Sequence, residues 1–150
     1  MDREFIRAAR LIEVRERERA ATLTDLQRAL ADEVAAAAHE QAARAALVEA
    51  ETARAALGHG PSLVVDYLRQ EDWLETLALR HGLARQKLGQ ARGVVRRSQA
   101  RVKAAQMRLK QAELLRERLE RVRRAKLVRI ERRAEDEVAQ RIANNSRTES

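Results

Sequence analysis

The chain has 150 residues, 36% of them charged and only 2% aromatic, with a formal net charge of +8. Phe5, Tyr67 and Trp73 are the only aromatic residues, whereas 29 alanines and 27 arginines fill more than a third of all positions. Alanine buries little area and Pro, Gly and β-branched residues are scarce, so an ordinary globular core and a sheet are both excluded.

What remains is rich in Ala, Arg, Glu, Leu and Gln, the composition of long helices or coiled coil. A first helix is predicted from about residue 3 to 57. Leu23, Leu26, Leu30, Val34, Ala37, Ala45 and Val48 form a loose apolar stripe along it. Leu11, Ile12 and Val14 form another near its start. The one strong break is Gly58-His59-Gly60-Pro61. Glycine costs about 1 kcal/mol and proline about 3 kcal/mol inside a helix, so this cluster marks a tip at 58–61.

A second helix is predicted from about residue 62 to 143, with Pro61 suited to its first turn. It carries a heptad seam. One line reads Leu74, His81, Leu88, Val95, Val102, Leu109; the other reads Leu77, Ala84, Ala91, Ser98, Ala105, Ala112. Large residues thus alternate with small ones over more than five repeats, and His81 is expected to be a polar residue that fixes register. After Ala112 the strict repeat meets Arg116, Arg123 and Lys126. The apolar set moves instead to Leu115, Leu119, Val122, Ile130, Ala134 and Val138, which predicts a slip of register. Residues 144–150 are polar and expected to fray. The fold class is therefore all-α: a single-domain, antiparallel two-helix hairpin, with the second helix outrunning the first by roughly 40 Å at 1.5 Å per residue.

The charge is concentrated. Residues 85–133 carry 18 basic and 4 acidic groups, whereas residues 1–84 carry 11 basic and 15 acidic ones. An acidic partner is implied. No apolar run approaches the roughly 20 residues that cross a bilayer, and Met1-Asp2-Arg3-Glu4 lacks the character of a signal peptide. The absence of cysteine excludes disulfides and thiolate metal sites and fits a cytoplasmic location.

Nothing in the sequence has the spacing of a catalytic, cofactor or metal site. His39, His59 and His81 fall at no ligand spacing, and the glycines form no phosphate loop. Two bare helices offer no cavity that excludes water, so the chain reads as a non-enzyme. The arginine block is a candidate nucleic-acid surface, but aromatic interleaving for base stacking and any known binding motif are missing. Trp73 falls beside the seam with Arg80 one heptad on. It is read either as a cap on the loop end of the hairpin or as an anchor for a partner.

The run Ile130-Glu131-Arg132-Arg133-Ala134-Glu135-Asp136-Glu137-Val138-Ala139-Gln140-Arg141 resembles the end of the FliJ family, coiled-coil proteins of the bacterial flagellar export apparatus. Tyr67, followed by Trp73-Leu74 and Leu77, resembles that family's aromatic and leucine segment after the hairpin tip. The charged opening Leu11-Ile12-Glu13-Val14-Arg15-Glu16-Arg17-Glu18 is similar in character. The resemblance implies a stalk like the γ subunit of rotary ATPases. Such a stalk promotes hexamer assembly and activity of the export ATPase, engages the cytoplasmic domain of the export gate and cycles export chaperones. It acts at the inner face of the bacterial membrane, without a cofactor. Tyr67, Trp73, Leu77 and Arg80 would then face the gate. Arg116, Arg123, Arg124, Asp136, Glu137 and Gln140 would face the ATPase ring. The stretch 39–50 departs from the family, being mostly alanine where tyrosines and a leucine are usual. The injectisome stalk of virulence-type secretion shares this fold and is the alternative, as is an arginine-rich coiled coil that binds nucleic acid.

Overall fold

The computed structural model describes residues 2–57 and 64–149, which form two long helices packed against each other, α1 (Asp2–Ala56) and α2 (Val64–Thr148). The expected tip at Gly58–Pro61 lies outside the described residues. There is no strand among the described residues, and the all-α hairpin expected from composition is what forms. Two compact units make up the chain, residues 20–104 and residues 1–19 with 105–150, each built from both helices.

In the 20–104 unit α2 buries Leu77, Ala84, Leu88, Val95, Ser98 and Val102, with Leu74, His81 and Ala91 half-buried between them. This is the predicted heptad seam, residue for residue. The side that α1 turns to it is only partly the predicted one, with Leu23, Leu26 and Ala37 half-buried. Ala29 and Glu40 are buried there, with Leu26, Ala36, Ala43, Leu47 and Ala50 half-buried at steps of three and four. Leu30, Val34, Ala45 and Val48 are exposed, Val34 to 70%, while Leu23 and Ala37 are half-buried. The reason is steric. Large residues on α2 leave room for small ones opposite, and a line of alanines lets the helices approach where a line of leucine and valine would overpack.

A polar cluster interrupts this seam. Glu40 is only 5% exposed, and its Oε1 accepts hydrogen bonds from Arg44 Nη2 at 2.6 Å and from His81 Nε2 at 3.0 Å. The predicted register role of His81 thus has a physical partner that the sequence did not suggest, 41 residues away. The hydrogen bond from His81, with the Arg44 charge beside it, holds the Glu40 carboxyl below its ordinary value of 4.5, against the opposing effect of burial.

In the unit formed by residues 1–19 and 105–150, Ile12 packs on Leu109 and Ala112 with Leu11 against them, and Ala8 and Ala105 are also buried. Val14, expected on this stripe, is exposed. The expected slip after Ala112 is also corrected. Of the shifted set only Leu119, which also keeps the strict seven-residue step from Ala112, is half-buried; Leu115, Val122, Ile130, Ala134 and Val138 are exposed. Arg116 and Arg123 hold the other seam line: their guanidinium carbons lie 5.6 and 5.8 Å from the centre of the Phe5 ring. Both arginines are exposed, and their charged tips lie over the face of the half-buried Phe5.

From Arg121 to Glu149 every described side chain of α2 is exposed. Arg123 sits over Phe5 of α1; beyond it, at 1.5 Å per residue, about 40 Å of helix to Glu149 is exposed, close to the expected surplus. The tail does not fray where expected, because the helix runs to Thr148. Ser146 Oγ donates to the Ala143 carbonyl at 2.9 Å and Thr148 Oγ1 to that of Asn145 at 2.9 Å, tying the last turn to the one before.

Two measurements check this packing. Leu88→Ala should lower the free energy of unfolding by about 2–3 kcal/mol, and Val34→Ala by less than about 0.5 kcal/mol, in urea titrations followed by circular dichroism. The second concerns pH. A carboxyl whose folded pKa is depressed stabilises the fold above its unfolded pKa and loses that contribution as pH falls through its folded value. Glu40→Gln should therefore melt below the parent at pH 7, and the gap should narrow steadily as pH drops below 4.5.

Candidate partner-binding groove

Within the 20–104 unit one side of the hairpin is open. Alanines on α1 leave a depression of about 330 Å³ between the helices, floored by Ala46, Ala50, Ala53 and Leu77 and walled by Glu49, Gln70 and Trp73. A second depression of about 270 Å³ shares Ala46 and Leu77 and continues past Ala42 and Ala43 to Arg80, Ala84 and Lys87. Together they form a groove whose floor is methyl groups. Trp73 is 49% exposed at its wall, and the Arg80 guanidinium carbon sits 5.5 Å from the indole ring. The spacing of seven between these residues sets them two turns apart on one side of α2, and the cation over the ring holds the indole in place. Gln70 Oε1 is buried at the groove without a hydrogen-bond partner, so a docked donor would relieve a desolvated acceptor.

The residues expected to face a gate do not act as one surface. Trp73 and Arg80 are together. Leu77 lies between them but is 5% exposed, a seam residue that offers only its edge to the groove floor. Tyr67 belongs to a different depression, with Leu47, Arg54 and Leu74. There the Arg54 guanidinium carbon stands 4.8 Å above the Tyr67 ring, and Arg54 Nη2 donates to Tyr67 Oη and to Glu71 Oε1, each at 2.8 Å. These contacts push the Arg54 pKa up, the phenol hydrogen bond most of all, so the guanidinium is charged throughout. Arg54 and Glu71 were missed in the sequence because their pairing crosses from one helix to the other, and no local spacing signals it. In the alanine-rich stretch 39–50, a departure from the family pattern, Ala43, Ala46 and Ala50 are half-buried at steps of three and four and line the groove floor.

The residues expected to face an ATPase ring all lie in the other unit. Arg116 and Arg123 are engaged with Phe5, whereas Arg124, Asp136, Glu137 and Gln140 are on the uncovered stretch of α2. That stretch also exposes Leu127, Ile130, Val138 and Ile142. No group of three His, Asp or Glu among the described residues could hold a metal ion, and no described helix is long and apolar enough to cross a membrane. The chain matches no family model, no curated protein and no solved structure.

Trp73 is the only tryptophan, so intrinsic fluorescence reports this groove alone. Acrylamide should quench it readily in the folded protein. Trp73→Ala should change the free energy of unfolding by no more than about 0.5 kcal/mol, because the seam residues beneath it stay in place.

Proposed function

We propose that the chain is a non-catalytic stalk of a type III protein export apparatus, one that promotes assembly and activity of a hexameric export ATPase. The observation that carries this reading is the uncovered stretch of α2. Beyond Arg123, which sits over Phe5, it exposes Leu127, Ile130, Val138 and Ile142 among Arg124, Arg129, Arg132 and Arg133. Apolar residues at helical spacing on a bare helix are satisfied by a protein surface, and the arginines among them suit an acidic one. The tail from Ile130 to Arg141, with its Asp136-Glu137 and Ala139-Gln140, is the segment that resembles the FliJ family, and it falls on this stretch. A stalk of this kind adds no catalytic group. It acts by offering different faces of an asymmetric helix pair to identical subunits.

The groove beside Trp73 is the second contact in this reading. An exposed indole braced by Arg80 over an alanine floor is suited to a hot-spot anchor, and the export gate is its proposed partner. Export chaperones and a peripheral position at the cytoplasmic face of the membrane complete the proposal. The flagellar system is preferred over the injectisome on the tail residues.

Mixing the purified protein with the export ATPase of its own organism should raise ATP turnover and shift the ATPase to hexamers. Truncation after Arg121 should abolish both effects while the Ile12–Leu109 packing keeps the remaining helices paired. No change in either readout with folded proteins would contradict the stalk reading. Tight duplex binding at physiological salt, lost on charge reversal at Arg124, Arg129 and Arg132, would replace it with the nucleic-acid reading.

A further inference from the structure

The outward face of α2 in the 20–104 unit, opposite the buried seam, has an unusual composition. At 100° per residue, Leu68, Asp72, Glu75, Leu79, Gly82, Gln86, Gly93 and Arg97 fall within one narrow strip, with Leu83, Gln90 and Arg101 along one margin and Gly89 along the other. Solvated helix faces are normally charged, and 36% of this chain is. Yet between Glu75 and Arg97 the strip carries no charge over six turns, about 33 Å. It presents Leu79 and Leu83 at 71% and 58% exposure around Gly82, in a shallow depression of about 600 Å³.

The glycines have no reason within the chain. A Cβ added at Gly82 or Gly89 would meet nothing within 4 Å, and one at Gly93 would meet only the tip of Arg97 at 3.6 Å. Glycine weakens a helix interior, so three of them here weaken α2 without any gain in its packing on α1.

The ends of the strip carry opposite charges: Asp72 and Glu75 at the N-terminal end, Arg97 and Arg101 at the C-terminal end. From these observations we infer that a second copy of this chain covers the strip, with the two α2 helices antiparallel about a two-fold axis at Gln86. Reversing the helix about that residue sets Glu75 against Arg97 and brings Asp72, whose direct counterpart is Ala100, within one residue of Arg101, four ion pairs in all by symmetry. The same reversal sets Leu79 against Gly93, large against small, and Gln86 against its own copy, where each amide can both donate and accept. A parallel pair would place acid on acid and base on base. The glycines then have a function: they let two helix backbones come close enough for the leucines to be covered. The pairing leaves the Trp73 end of the groove open, because Trp73 and Arg80 point more than 90° away from the strip's centre, while Leu83, on the strip's margin, also lines the second depression; it is independent of the stalk reading.

Sedimentation equilibrium of the full chain over a wide concentration range, in low salt and in 0.5 M salt, tests the pairing. A monomer–dimer equilibrium that weakens with salt is expected. Leu83→Glu should raise the dimer dissociation constant at least tenfold with helicity unchanged. Glu75→Arg or Arg97→Glu alone should weaken the dimer, and the two together should restore it. The chain contains no cysteine, so single labels report geometry directly. Nitroxides on Gln86→Cys should lie within about 20 Å of each other in the dimer, while those on Leu68→Cys should lie about 54 Å apart, 36 residues of helix at 1.5 Å each. A monomer at every concentration would overturn the inference. So would short distances at both labels, or a dimer indifferent to Leu83→Glu and to the charge exchange.

Discussion

The structure depends on how closely two helices approach along one seam. Leu88, Val95 and Val102 come from α2, and α1 answers with alanines, so the helix axes can be near enough for a narrow seam to be buried on both sides. No residue in the described chain is large and wholly buried, so there is no centre of packing to compensate for a loss along the line. Stability is spread thinly over many shallow contacts. One polar cluster, Glu40 with His81 and Arg44, is what distinguishes this register from one displaced by a heptad. A shifted pairing would strand a buried carboxylate opposite an apolar residue, which is costly, whereas most other seam positions would accept the change.

That arrangement explains why large apolar residues end up outside. The seam consumes alanines on α1, and Leu30, Val34 and Val48 are left on its outer side. On α2 the surplus is at Leu79 and Leu83 and along the stretch after Arg121. In a chain with a compact core such residues would be buried within it. Here they remain available, and a protein so composed presents most of its apolar area to other molecules.

The sequence made half of this legible. The α2 seam could be read because its large residues recur every seven positions, and a strict period survives into the structure. The α1 side could not, because an alanine line does not stand out among 29 alanines, and size drew the eye to Val34 and Val48 instead. Glu40 was invisible for the same reason that His81 was noticed: a charge on a helix is ordinary until a partner on another helix buries it. The arginines at 116 and 123 were read as a break in the heptad because a charge on a seam line usually is one. Phe5, more than a hundred residues away, lies under both of them, although both stay exposed. Among the candidate binding residues, the closeness of Trp73 and Arg80 was legible from their spacing of seven. Tyr67 is held apart from them by its hydrogen bond from Arg54, which no local spacing signals.

The central claim is that α1 meets α2 through Ala29 and Glu40 and turns Val34 and Val48 away. Because the chain has no cysteine, it can be tested by single substitution to cysteine at each of these four positions and the rate of maleimide modification under native conditions. The account predicts slow labelling at 29 and 40 and rapid labelling at 34 and 48, with all four equally rapid in denaturant. Protection at 34 and 48 with free reaction at 29 would contradict it and restore the leucine and valine stripe as the true seam.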